Sequence, residues 1–102
     1  MSVTLTTTIS APVENYPTIA DFSAAVRSVY GADTETLVDG SVLSGNLISI
    51  SSVAEISGGN YVETFTTVWI DQAALDSHQS DLSIQDEKTA SESTFTVDRI
   101  VT

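Results

Sequence analysis

The sequence predicts an α+β domain of ferredoxin-like order, β-α-β-β-α-β, with two helices on one face of a four-stranded antiparallel sheet. Three observations predict it: period-two runs of β-branched residues near both ends, two segments with apolar residues at helical spacing, and two strand-like runs joined by Gly58-Gly59.

In Ser2–Ile9, Val3, Leu5 and Ile9 alternate with Thr4, Thr6 and Thr8, the pattern of a half-buried first strand. Pro12 and Pro17 punctuate the loop that follows. Ile19, Phe22, Val26, Val29 and Tyr30 then recur at spacings of three and four, which predicts a helix over Thr18 to Tyr30. Thr18 and Asp21 have the spacing of a capping box, and Gly31 is placed to end the helix. Asp33–Gly40 (DTETLVDG) has no period and reads as a loop or a short irregular element.

The run LSGNLISISSVAEI from Leu43 and the run YVETFTTVWI from Tyr61 form a hairpin, because glycine supplies the positive φ of a tight primed turn. Asp71 caps a second helix, with Ala74, Leu75, His78 and Leu82 along one face. Polar Ser83–Ser93 reads as a loop, and STFTVDRIVT closes the chain as a fourth strand with Phe95, Val97 and Val101 in alternation.

Two helices cover only one face of such a sheet. In the third strand Tyr61, Phe65 and Trp69 take one side and Val62, Val68 and Ile70 the other; in the second, Leu47 opposes Ile48 and Ile50. Apolar residues on both faces predict a homodimer joined through the sheets, since a symmetric copy is the cheapest cover for the second face.

With 102 residues, 41 % of them apolar, the chain is expected to form one domain over its whole length, residues 1–102. It has no stretch suited to a membrane span and no secretory leader pattern in Met1–Ser10, so a soluble, cytoplasmic protein is expected. Fourteen acidic residues face only Arg27, Lys88 and Arg99, for a formal charge of -11, which argues against nucleic acid and anionic membranes as partners. Without cysteine there is no thiol nucleophile or thiolate metal site, and one histidine makes a poor transition-metal cage, so no metal is expected. No Gly-x-Ser-x-Gly elbow is present, and Gly58-Gly59 does not open a helix that could hold phosphate.

The segment from Trp69 to His78 (WIDQAALDSH) resembles the strand-helix junction of the antibiotic biosynthesis monooxygenase family: a strand ending in Trp, an acidic cap, an Ala-apolar pair and a His nine positions after the Trp. Ser44-Gly45-Asn46-Leu47 is similar to that family's Pro-Gly-apolar entry into the second strand, with Ser in place of Pro. The resemblance implies a dimeric α+β barrel. It also implies oxidation of a small aromatic or quinol by molecular oxygen, without metal or flavin cofactor, in a pocket between sheet and helices. On that reading Trp69 stacks on the substrate ring, His78 takes the phenolic proton and Arg99 holds the resulting anion. Phe22, Tyr61, Phe65 and Asn46 then complete the ligand-binding wall.

Each residue also has a structural reading: Trp69 as core with its indole N–H bonded nearby, His78 as a core or interface histidine, Arg99 as the neutraliser of Glu63 or Asp98. Related heme-degrading monooxygenases place an iron-binding His about ten positions beyond His78. Asp86, Glu87 and Lys88 stand there instead, so heme is not expected. The alternative function is a non-catalytic dimer that binds a small ligand or is purely structural.

Overall fold

The computed structural model describes all 102 residues. Strand β1 (Val3–Pro12) leads into helices α1 (Ile19–Val29) and α2 (Ala32–Ser44), then the hairpin of β2 (Leu47–Ser57) and β3 (Asn60–Trp69). Helices α3 (Gln72–Ser80) and α4 (Gln85–Thr94) precede β4 (Thr96–Val101). The four strands form one antiparallel sheet in the order β2-β3-β1-β4, the ferredoxin-like arrangement the sequence predicts.

Local signals explain most of the element boundaries. Thr18 Oγ1 accepts a hydrogen bond from Asp21 N at 3.2 Å and donates to its carboxylate at 3.0 Å, closing the first turn of α1. Asp71 Oδ1 accepts from Ala74 N at 2.8 Å and starts α3. Gly58 and Gly59 take φ values of 57° and 80°, the left-handed pair that a two-residue hairpin turn requires.

Two segments expected to be loops are helical. Helix α2 covers Asp33–Gly40, and α4 covers most of Ser83–Ser93. Neither presents a continuous apolar face: α2 has no fully buried residue, only Val38 packing against the Trp69 cluster, and α4 buries only Ser91. They are joined by a carboxylate instead. Glu87 of α4 accepts hydrogen bonds from the Asp33 and Thr34 amides at 3.2 and 3.0 Å and from the Thr34 hydroxyl at 2.7 Å, capping the free N–H groups of α2 across the fold. Gly31 therefore opens α2, with a φ of -81°, in addition to following α1. Leu82 leaves the α3 face it was assigned to and is 88 % exposed, because the chain turns extended at Asp81.

The register of β2 also differs from strict alternation. A bulge between Leu47 and Ser49 inserts Ile48, after which Ile50 pairs with Thr67. Ile50 thus shares the helix-facing side with Leu47 and Trp69, where unbroken alternation sets it opposite Leu47. The outer face carries Thr4, Thr6 and Thr8 of β1 beside Val62, Thr64, Thr66 and Val68 of β3, with Val53 and Ile100 exposed toward the edges. Ile70 lies just past the end of β3.

Two clusters make the core: Ile9, Ala11, Phe22, Val26, Tyr61 and Phe95 toward one end, and Leu5, Leu47, Trp69 and Leu75 toward the other. Glu63, on the same face of β3 as Tyr61 and Trp69, is 2 % exposed. Its Oε2 accepts from Arg27 Nη2 at 3.4 Å, while Oε1 has no partner, so the desolvation of this carboxylate is offset only in part. No helix is long and apolar enough to cross a membrane.

Candidate functional site

The core divides in two because a cavity of about 220 Å³ lies between its halves. Leu5, Leu47 and Trp69 wall it from one cluster, Ile9 and Val26 from the other, and Phe65, Ile50 and Ile84 extend the apolar lining. That volume exceeds the roughly 150 Å³ of an apolar cavity known to admit benzene, so it suits more than one ring.

Trp69 reaches the chamber because its parity on β3 turns it toward the helices; it is 1 % exposed. Its indole N–H donates to Thr67 Oγ1 at 2.9 Å, two residues back on the same strand face. The polar edge of the ring is thereby satisfied without a ligand, and its apolar surface packs against Leu5, Leu47 and Leu75. His78 sits two turns into α3 and packs against the indole, with ring centroids 4.6 Å apart and an interplanar angle of 36°. Trp69 is consequently both a core residue and a chamber wall.

His78 Nδ1 is shielded from solvent and has no hydrogen-bond partner. Burial holds the imidazole below its ordinary pKa near 6.5; the Asp81 carboxylate pulls the other way, and the positive charge of Lys88 reinforces the lowering. A neutral, partnerless imidazole against an aromatic wall is a proton acceptor ready for use. His78 also borders a second, polar cleft that includes Ser41, Asn46, Ser77 and Asp81, so it stands between an apolar chamber and a hydrophilic one.

This shift has a measurable consequence. Because the folded-state pKa lies below the unfolded one, the stabilisation is complete above about pH 6.5 and is lost as pH falls through the folded value. Urea unfolding between about pH 7.5 and 5 is expected to show declining stability, and His78→Leu is expected to flatten that decline. An unchanged slope in the variant would assign the effect to other groups. Asp81 and Glu87 are also held below their ordinary values, chiefly by hydrogen bonds from Ser83 and Thr34, but they act in the more acidic carboxylate range.

Of the residues singled out in the sequence, Phe65, Trp69, His78 and Arg99 meet at the chamber. Arg99 does so as half of an ion pair, with Nη1 2.6 Å from Glu92 Oε1 of α4, rather than with Glu63 or Asp98. Phe22 and Tyr61 do not line the chamber: they stack on each other at 5.6 Å within the core. The same-face parity of Tyr61 turns it toward the helices, but it stands eight strand positions from Trp69, at the far end of β3. Asn46 lines the polar cleft, and its carbonyl accepts from Ile70 N at 2.9 Å. Two lining cations, Arg27 and Lys88, were not anticipated. The scarcity of positive charge in the sequence was the signal available for them.

Comparison with protein-family models finds no match, and no curated protein matches significantly. Solved structures do match in fold. A mutant form of SnoaB, a cofactor-independent oxygenase from Streptomyces nogalater, superposes with a TM-score of 0.63 at 14 % identity, covering 99 % of this chain and 90 % of that one. Rv0793 from Mycobacterium tuberculosis gives 0.66 at 14 % identity, covering 100 % and 93 %. A protein described as an antibiotic biosynthesis monooxygenase gives 0.57 at 18 % identity, covering 100 % and 94 %. The chain therefore has the ferredoxin-like fold of the monooxygenase-like proteins that its Trp69–His78 segment resembles.

Proposed function

We propose that the chain is an oxygenase that oxidises a small aromatic phenol or quinol with molecular oxygen and without a metal or organic cofactor. The observation that carries this reading is the neutral His78 imidazole, partnerless at Nδ1 and packed at 4.6 Å on Trp69, at the wall of an apolar chamber. The likeness in fold to SnoaB and to an antibiotic biosynthesis monooxygenase supports it. His78 accepts the substrate's hydroxyl proton; the phenolate, electron-rich in a setting with little water, passes electrons to oxygen and forms a ring C–O bond. Loss of the ring hydrogen and cleavage of the O–O bond then leave a quinone and one water, with molecular oxygen the only oxidant. Trp69 and Phe65 align the ring, and Arg99, paired with Glu92, lends what positive charge that pair leaves. The test is oxygen uptake in chelator-treated buffer with a panel of phenols and quinols. Turnover above autoxidation is expected, and its absence across the panel would sink the proposal.

The active form is proposed to be a homodimer joined through the outer sheet faces. Val62 and Val68, flanked by exposed Val53 and Ile100, supply apolar side chains there, each worth roughly 1.5–3 kcal/mol on full burial. The central threonines reduce that sum but can bond across an interface. Sedimentation at micromolar concentration is expected to give twice the chain mass. A folded monomer would overturn the assembly.

A further inference from the structure

The chain has only three Lys or Arg residues and one His, and all four line the one apolar chamber. Everywhere else its charge is negative or absent, with fourteen acidic residues and a formal charge of -11. Such a surface repels anions at long range, so a cationic lining must act locally if it is to act on a ligand at all.

The three cations are not equivalent. Arg27 is committed to Glu63 at 3.4 Å, and its side chain is 60 % exposed. Arg99 is committed to Glu92 at 2.6 Å. Lys88 has no ion pair, although carboxylates far outnumber cations in this protein. Its neighbour Glu87 is turned to the N-terminus of α2 by the Asp33 and Thr34 amides. Lys88 and His78 both line the chamber. Lys88 is half-buried at the chamber and outside any ion pair, whereas both arginines are paired, so its charge is free to meet one on a ligand.

We propose that the chamber takes an aromatic monocarboxylic acid bearing a phenolic hydroxyl, with Lys88 binding the carboxylate and His78 meeting the hydroxyl. This assignment rests on the aromatic-oxidation reading above and adds the anionic group to it. One free lysine matches one negative charge. A phosphate ester would bring a second charge into a cavity whose remaining cations are already paired with carboxylates.

Calorimetric titration with 1-hydroxy-2-naphthoate and with 1-naphthol tests the idea, because the two share rings and hydroxyl and differ in the carboxylate. The acid is expected to bind at least tenfold more tightly to the unaltered protein. Lys88→Gln is expected to remove that preference while leaving naphthol affinity and the circular dichroism spectrum unchanged. Equal binding of the two compounds overturns the carboxylate assignment and leaves aromatic oxidation standing. So does a preference that survives Lys88→Gln. If neither compound binds, the chamber is no aromatic site, and both readings fall together.

Discussion

Trp69→Ala is expected to cost roughly 3–5 kcal/mol of stability, the range for truncating a large buried aromatic side chain. The residue is 1 % exposed, packs with Leu5, Leu47 and Leu75, and meets the His78 ring at a tilt of 36°. Its loss joins the new void to the existing chamber, and a wider cavity has no neighbour able to collapse into it. It also frees the Thr67 hydroxyl, whose other contact is a long bond to the Leu5 carbonyl at 3.4 Å. Urea unfolding measures the effect. A loss below about 1.5 kcal/mol would mean that the smaller cluster contributes little and that the core rests on the Phe22 end. Trp69→Phe, which keeps an aromatic wall, is expected to recover most of the stability.

His78→Leu is expected to lower oxygen uptake by about 10²–10⁴-fold, the usual contribution of a positioned general base. Its effect on stability at neutral pH is expected to be small, and the reason is structural. Removing a buried polar side chain is costly when it strands a partner, but the His78 Nδ1 has none to strand. Leucine replaces the ring's contact with Trp69 and removes an unsatisfied nitrogen. Parallel measurement of turnover and unfolding therefore separates the two roles. Activity lost with stability intact identifies the base. Both falling together in proportion would make His78 a packing residue, and activity surviving would remove it from the chemistry.

The contrast between Trp69 and Phe22 explains how far the sequence located the site. Trp69 and His78 sit nine positions apart across a capped strand-helix junction, so local geometry alone brings them together. Phe22 and Tyr61 come from α1 and from the opposite end of β3, and whether they line a cavity or fill one depends on how α1 lies on the sheet. No periodicity encodes that. Lys88 was hidden for a related reason. The segment around it has no apolar stripe, so it reads as a loop, and only a helical α4 starting beside buried Ile84 brings the lysine to the chamber.

The sequence by itself determined the strands, the two amphipathic helices, the glycine turn and the side of β3 that faces inward. Each of these rests on interactions within a few residues: alternation on a pleated strand, a helical stripe, a hydroxyl or carboxylate at an N-cap, positive φ at glycine. Tertiary structure alone decided α2 and α4, which lack a continuous apolar face of their own and are tied by Glu87 to the Asp33 and Thr34 amides, more than fifty residues away in the chain. It decided the bulge that turns Ile50 inward, because the register of β2 is fixed by pairing with β3 rather than by its own alternation. It decided the ion pairs as well: which acids neutralise Arg27 and Arg99, and that none reaches Lys88, depends on distances across the fold that no spacing in the chain expresses.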